Sequence, residues 1–174
     1  MGAPTSLPLI LVPGRLLALP QQLPVGTFTP APSVACGTFP WTLASADFDG
    51  DGHTDVVTTD HDGSGLILFR GVGDGTFGMG QNTFLAVQPT TVAVADWNRD
   101  GIPDLAIGSW GPPGAVLVMR GNGDGTFGAP VAIDIGGPGP TTAIAPDLDG
   151  NGLPDLVIAD VSTNAIIVVL NESK

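Results

Sequence analysis

The chain has 174 residues, 43% of them hydrophobic and 13% charged, with 26 glycines and 17 prolines. This is too apolar and too sparsely charged for a disordered tail, and it suits many short strands joined by tight turns. Five Lys and Arg against 17 acids leave a formal charge of −12, which excludes nucleic acid and an anionic membrane surface, both of which are recognised by basic patches.

Residues 1–20 are leucine-rich but lack a basic start, and Pro4, Pro8, Pro13 and Arg15 interrupt them. They give no visible signal peptide and no membrane span, so membrane insertion is not expected. Residues 7–12 and 16–19 read as two short strands, and Gly26-Thr-Phe28 as the start of a third. Cys36 is the single cysteine, so neither an intramolecular disulfide nor a zinc cluster can form.

From residue 38 the chain repeats. Three acidic segments recur: Asp47-Phe-Asp-Gly-Asp-Gly-His-Thr-Asp55, Asp96-Trp-Asn-Arg-Asp-Gly-Ile-Pro-Asp104 and Asp147-Leu-Asp-Gly-Asn-Gly-Leu-Pro-Asp155, with starts 49 and 51 residues apart. A second motif interleaves in phase, Gly73-Asp-Gly-Thr-Phe77 and Gly123-Asp-Gly-Thr-Phe127, 50 residues apart. The middle copy shows the plan. Residues 91–95 are strand one, the acidic loop follows, residues 104–108 are strand two, and residues 110–114 turn the chain. Residues 115–119 are strand three, residues 122–125 form a hairpin turn, and residues 126–135 hold strand four.

Four short antiparallel strands in about 50 residues describe a propeller blade. The expected fold is therefore all-β, a β-propeller of four-stranded antiparallel blades. There are about 3.5 blades per chain, completed by a second chain or by further sequence. The blades span residues 38–88 with loop 47–55, 89–138 with loop 96–104, and 139–174, a partial blade, with loop 147–155. Gly2-Ala-Pro-Thr5 aligns on Gly101-Ile-Pro-Asp104 at an offset of 99, which makes residues 1–37 a degenerate blade holding strands two to four.

The loop spacing is that of a cation site. Calcium takes six to eight hard oxygens, and alternate residues of a tight loop turn their side chains to one centre. Loop one offers Asp47, Asp49, Asp51, the carbonyl of His53 and Asp55. Loop two offers Asp96, Asn98, Asp100, the carbonyl of Ile102 and Asp104. Loop three offers Asp147, Asp149, Asn151, the carbonyl of Leu153 and Asp155. That gives three Ca2+ sites per chain. An EF-hand would need a bidentate glutamate at position twelve, where this chain has Thr58, Ile107 and Ile158.

These loops, the apolar strand after each, and the Gly-Asp-Gly-Thr-Phe-Gly-Ala-Pro stretch at 123–130 resemble FG-GAP/VCBS repeats. Repeats of that family build the propeller of integrin alpha subunits and of many bacterial surface proteins. The resemblance is good over 38–174 and weak over 1–37. It implies calcium ligation with a structural role, and a secreted or cell-surface location. It is poorly specific for function, because adhesion modules, fungal lectins and appendages of polysaccharide-active enzymes share it. Thr5 stands where the N-terminal copy would need its last aspartate, so no fourth calcium is expected.

Asp74 and Asp124 are read as hairpin formers. Phe48, Trp97 and Leu148 share one loop position and are read as packing between blades. In a four-stranded blade the acidic loops leave one end. Trp41, ahead of strand one, and Trp110, in a two–three turn, belong at the other end, as do His61 and Asp62. The resemblance makes that end the ligand face, where an amphipathic aromatic can stack on a sugar or anchor a protein. No catalytic constellation is visible: His53 and His61 sit in turns, Cys36 has no partner, and tyrosine is absent.

The reading is a non-enzymatic calcium-binding propeller module recognising carbohydrate or protein ligands outside the cell. The alternative is a purely structural half-propeller that self-associates. About 3.5 blades cannot close a ring alone, so the chain is either a piece of a longer propeller or half of a homodimer. The dimer, a closed ring of six to eight blades, is favoured because an open half-ring exposes large apolar faces.

Overall fold

A computed structural model describes the backbone of residues 9–12 and 15–18, and residues 32–111 and 115–173 in full. The chain divides into two units, Met1–Pro30 and Ala31–Lys174. In the first, strands β1 (Leu9–Val12) and β2 (Arg15–Ala18) pair antiparallel, with Leu9 opposite Ala18. β1 lies within the first apolar run expected to be a strand, and β2 begins one residue ahead of the second. The expected third strand at residues 26–28 and the turn residues 112–114 lie outside the described residues.

The second unit holds three antiparallel sheets and, among the described residues, no helix. The first sheet is β3 (Pro40–Ala46), β4 (Asp55–Asp60), β5 (Gly65–Phe69) and β6 (Gln81–Phe84), in that spatial order. The second repeats it with β7 (Gln88–Ala95), β8 (Asp104–Trp110), β9 (Ala115–Met119) and β10 (Val131–Asp134). The third has β11 (Pro140–Ile144), β12 (Leu156–Asp160) and β13 (Ala165–Val169). Strand β7 contacts both β3 and β11, so the first strand of each sheet is innermost and the sheets stack side by side as propeller blades. The three described sheets of this unit do not close into a ring.

Each first strand carries a proline at its first or second residue and shifts register just after it, between Pro40 and Leu43, Pro89 and Thr91, and Pro140 and Thr142. Proline cannot donate to a ladder, and a bulge at the strand start accommodates it.

The second sheet is buried on both sides, which is why its strands read as continuous apolar runs. Val92, Leu105, Ile107, Leu117 and Met119 face the first sheet and pack with Val57, Leu66 and Leu68. Their alternates Ala93, Ala106 and Val116 face the third sheet and pack with Leu156 and Ile158. The third sheet keeps the same alternation with one side covered, whereas in the first sheet β5 is buried on both sides and the exposed positions lie on β3 and β6. Leu43 on β3 is 69% exposed and Ile166 on β13 is 73% exposed.

The acidic loops need left-handed backbone at their fourth and sixth positions. Glycine supplies both in loops one and three (Gly50 and Gly52, Gly150 and Gly152), while loop two uses Arg99 at φ 60° before Gly101.

Candidate metal loops and an aromatic cluster

The acidic loops join strand one to strand two of each sheet, and each is folded by its own carboxylates. In loop one, Asp47 accepts the backbone N–H groups of Gly50 (2.8 Å) and Gly52 (2.9 Å), Asp49 accepts that of Asp51 (3.2 Å), and Asp51 accepts that of His53 (2.7 Å). Asp147, Asp149 and Asn151 repeat the scheme in loop three. In loop two, Asp96 reaches Asp100 and Gly101, Asn98 reaches Asp100, and Asp100 reaches Ile102.

The ninth residue does more. Asp55 is fully buried at the start of β4. One of its oxygens accepts Phe48 N–H (2.9 Å) from the loop, and the other accepts Gly71 N–H (2.8 Å) beyond β5. Asp104 joins Trp97 and Gly121 in the same way, and Asp155 joins Leu148 and Asn171. Each ninth aspartate thus ties the one–two loop of its sheet to the chain leaving strand three. Burial pushes the Asp104 carboxyl above its ordinary value, and the charges of Asp100 and Asp96 add to this, against the backbone N–H groups of Gly121 and Trp97. The N–H groups of Asn171 and Leu148 hold Asp155 below its ordinary value.

A cation fits this donor set. Asp47, Asp49 and Asp55 each present a carboxylate oxygen within 4.8 Å of the others, as do Asp147, Asp149 and Asp155. Two oxygens at about 2.4 Å on opposite sides of one calcium ion are about 4.8 Å apart. In loop two the neutral Asn98 replaces the middle carboxylate, and its side-chain nitrogen is buried without a hydrogen-bond partner. Asp51 and Asp100 lie outside the converging trios and close turns onto His53 and Ile102. The seventh side chains also pack beneath the Gly-Asp-Gly turns, His53 against Gly73 and Ile102 against Gly121 and Gly123.

Arg70 was not singled out by the sequence, but it links the first two sheets. One guanidinium nitrogen pairs with Asp49 at 3.1 Å and another donates to the carbonyl of Asp124 in the turn of the second sheet. Gly125 N–H returns a bond to Phe48 O (2.9 Å), and the rings of Phe48 and Phe127 meet edge to face at 5.5 Å. At the next junction Arg99 donates to Asn151 O, and Asn171 donates to Trp97 O. Phe48 is buried and Trp97 is partly buried at these junctions, as expected. Leu148, at the same loop position, is 52% exposed, with no further sheet against it among the described residues. Asp74 and Asp124 each accept the backbone N–H and hydroxyl of the threonine two residues on, the behaviour of turn formers.

At the other end of the blades an aromatic cluster forms. The register pairs Pro40 with Asp60 at one end of β3–β4 and Ala46 with Asp55 at the acidic-loop end. Likewise Gln88 pairs with Trp110, and Ala95 with Asp104. Trp41 and Trp110 therefore lie away from the acidic loops. The Trp41 and His61 rings are 5.1 Å apart, and Phe39 is 5.6 Å from Trp41 and 6.1 Å from His61. The Nδ1 of His61 lies 3.0 Å from the Asp62 carboxylate. Trp110 is exposed at the end of β8 and takes no part in this cluster.

Phe39 and Asp60 were missed by the sequence reading. Asp60 accepts the N–H groups of Phe39 (2.8 Å), Thr38 and Gly63, fixing the approach of Phe39 to the turn that carries His61. Burial raises the Asp60 carboxyl, but these donors outweigh it and hold it below its ordinary value. Asp160 does the same with Gly139, Ser162 and Thr163. The signal was available: an aspartate five residues after the last loop aspartate in two copies, with Ser109 at that place in the second.

Stacked antiparallel blades with a repeated acidic one–two loop define a β-propeller-type repeat module. The family model for the FG-GAP-like repeat matches residues 47–107 and 104–158. Those matches cover well over half of the sequence, and the chain belongs to the FG-GAP-like repeat family. No curated protein matches the chain. No helix among the described residues is long and apolar enough to cross a membrane.

Proposed function

We propose that the chain is a non-enzymatic, calcium-stabilised propeller module that recognises carbohydrate or protein ligands outside the cell. The observation that carries recognition is the Phe39–Trp41–His61 cluster, about half exposed at Phe39 and Trp41, at the blade end away from the acidic loops. An aromatic face beside a carboxylate suits a sugar ring, which offers C–H groups to the one and hydroxyls to the other. Asp62 supplies that carboxylate. Trp110, at the matching place in the second sheet, would extend the surface.

Calcium is assigned to loops one and three on the converging trios, and to loop two as the weakest site because Asn98 contributes a neutral donor. The ion would hold the loop carboxylates together and would take no part in chemistry. The test is a glycan and protein array with the wild type and Trp41→Ala. Binding that Trp41→Ala abolishes, with calcium stabilisation intact, supports the reading. Wild type that binds nothing on either array, or binding indifferent to Trp41, refutes it.

A further inference from the structure

We propose that the groove between the second and third sheets is a binding site for a small carboxylate carrying an aromatic ring. The groove holds about 620 Å³ at the acidic-loop end of this junction. Its floor is apolar, built from Ala106, Val118 and Ile133 of the second sheet and Leu156 and Val169 of the third, with Trp97 beside it. Asn98 and Arg120 line it as well.

The junction between the first and second sheets shows what such a place takes. There the ring of Phe127 meets Phe48 at 5.5 Å and packs on the core that holds Val57, Leu68, Leu105 and Met119. By the repeat, Phe48 corresponds to Trp97, and the other four correspond to Ala106, Val118, Leu156 and Val169, all of which line the groove. The groove is therefore the second junction's version of a phenyl site. It is also wider, because Ala106, Val118 and Val169 are each smaller than the residue they replace.

The polar groups differ between the two junctions, and the difference selects the ligand. Arg70 is answered by Asp49, at 3.1 Å, and by the carbonyl of Asp124. Arg120 stands at the position of Arg70, but Asn98 stands at that of Asp49. Asn98 Oδ1 accepts Asp100 N–H (2.8 Å), just as one oxygen of Asp49 accepts Asp51 N–H. Asn98 Nδ2 thus replaces the oxygen that faces Arg70, and it is buried without a hydrogen-bond partner. Among the described residues, no carboxylate pairs with Arg120. Asp104 also lines the groove, but its oxygens are engaged by Trp97 and Gly121 N–H. The groove therefore offers a guanidinium and an amide donor above an apolar floor, and its ligand must bring the acceptor. A carboxylate meets both donors and takes charge-assisted bonds from the guanidinium. Glu172 beside the groove and the net charge of −12 favour a singly charged ligand over a polyanion.

The test titrates phenylpropionate into the full chain in calcium, followed by NMR of the backbone and side-chain N–H groups. Wild type is expected to bind with a Kd of ~0.1–1 mM, the range open to a ligand of about eleven heavy atoms. The shifts are expected to centre on the Trp97 indole and the Asn98 amide. Phenylpropionamide, which lacks the charge, and acetate, which lacks the ring, are each expected to bind more weakly. Arg120→Leu places there the residue that the third sheet carries as Leu170, and is expected to weaken phenylpropionate by ~10–100-fold. Asn98→Asp gives Arg120 the carboxylate that Asp49 gives Arg70, and is expected to abolish binding with the fold retained. Circular dichroism and thermal melts check the fold of both variants, and either one that folds suffices. No binding by wild type up to ~10 mM, shifts centred away from the groove, an amide that binds as tightly as the acid, or a folded variant that binds as wild type does overturns the proposal.

Discussion

Replacing the ninth loop aspartate separates a structural tie from a metal ligand. Asp55 is fully buried and accepts two backbone N–H groups, at 2.9 and 2.8 Å. A hydrogen bond to a charged group contributes about 1.5–3 kcal/mol, and a buried donor left without a partner costs about 1–3 kcal/mol. Asp55→Ala orphans both Phe48 and Gly71 and is expected to cost about 3–5 kcal/mol, a large share of a typical domain stability of about 5–15 kcal/mol. Asp55→Asn keeps one acceptor and turns an NH2 group toward the other donor, for about 2–3 kcal/mol. The assay is urea unfolding in EDTA, so that no ion contributes. With a slope of about 2 kcal/mol per molar, the Asn variant should unfold about 1–1.5 M earlier. Asp51→Asn is the control. Asp51 is exposed and its one bond, from His53 N–H, survives in the amide, so its midpoint in EDTA should move little. If Asp55→Asn matches wild type in EDTA and loses stability only in calcium, the two backbone bonds are not what holds the loop, and the reasoning fails.

Calcium should raise the melting temperature by several degrees over EDTA, since a ligand at a hundred times its Kd adds about 2.7 kcal/mol per site. Asp147→Asn should remove part of that rise, and an unchanged rise would remove loop three from the sites. Phe48→Ala should cost about 3–5 kcal/mol by denaturant titration, because its ring is buried against Phe127. Leu148→Ala, at the same repeat position but exposed, should cost a monomer little; equal costs would contradict the packing described here. Asp60 and Asp160 are held below the ordinary carboxylate value of 3.8 when folded. Their stabilisation is therefore complete above that value and is lost as pH falls through their folded values. Asp160→Asn should flatten the acid limb of a stability profile measured in EDTA, and a limb unchanged in slope would show that the turn bonds do not carry it.

The sequence by itself determined the repeat, the strand type and the blade plan. Aspartates and glycines recurring in phase every 49 to 51 residues fix where the chain must turn, and β-branched runs between them leave no helical period. Strand three of the middle copy falls at Ala115–Met119, as the pattern gives it. The loop trios were legible for the same reason: their ligands lie within nine residues, and local spacing sets local geometry.

What the sequence could not decide depends on contacts between distant segments. Arg70 reads as a lone surface charge until Asp124, 54 residues away, is placed beside it. Phe39 and His61 are 22 positions apart and meet only because Pro40 pairs with Asp60 across β3 and β4. The ninth aspartates were read as metal ligands alone, since Gly71, Gly121 and Asn171 reach them from beyond the third strands. Leu148 and Phe48 share a motif position and differ in burial for one reason: a loop motif specifies the side chain, and only the next sheet in the stack can cover it.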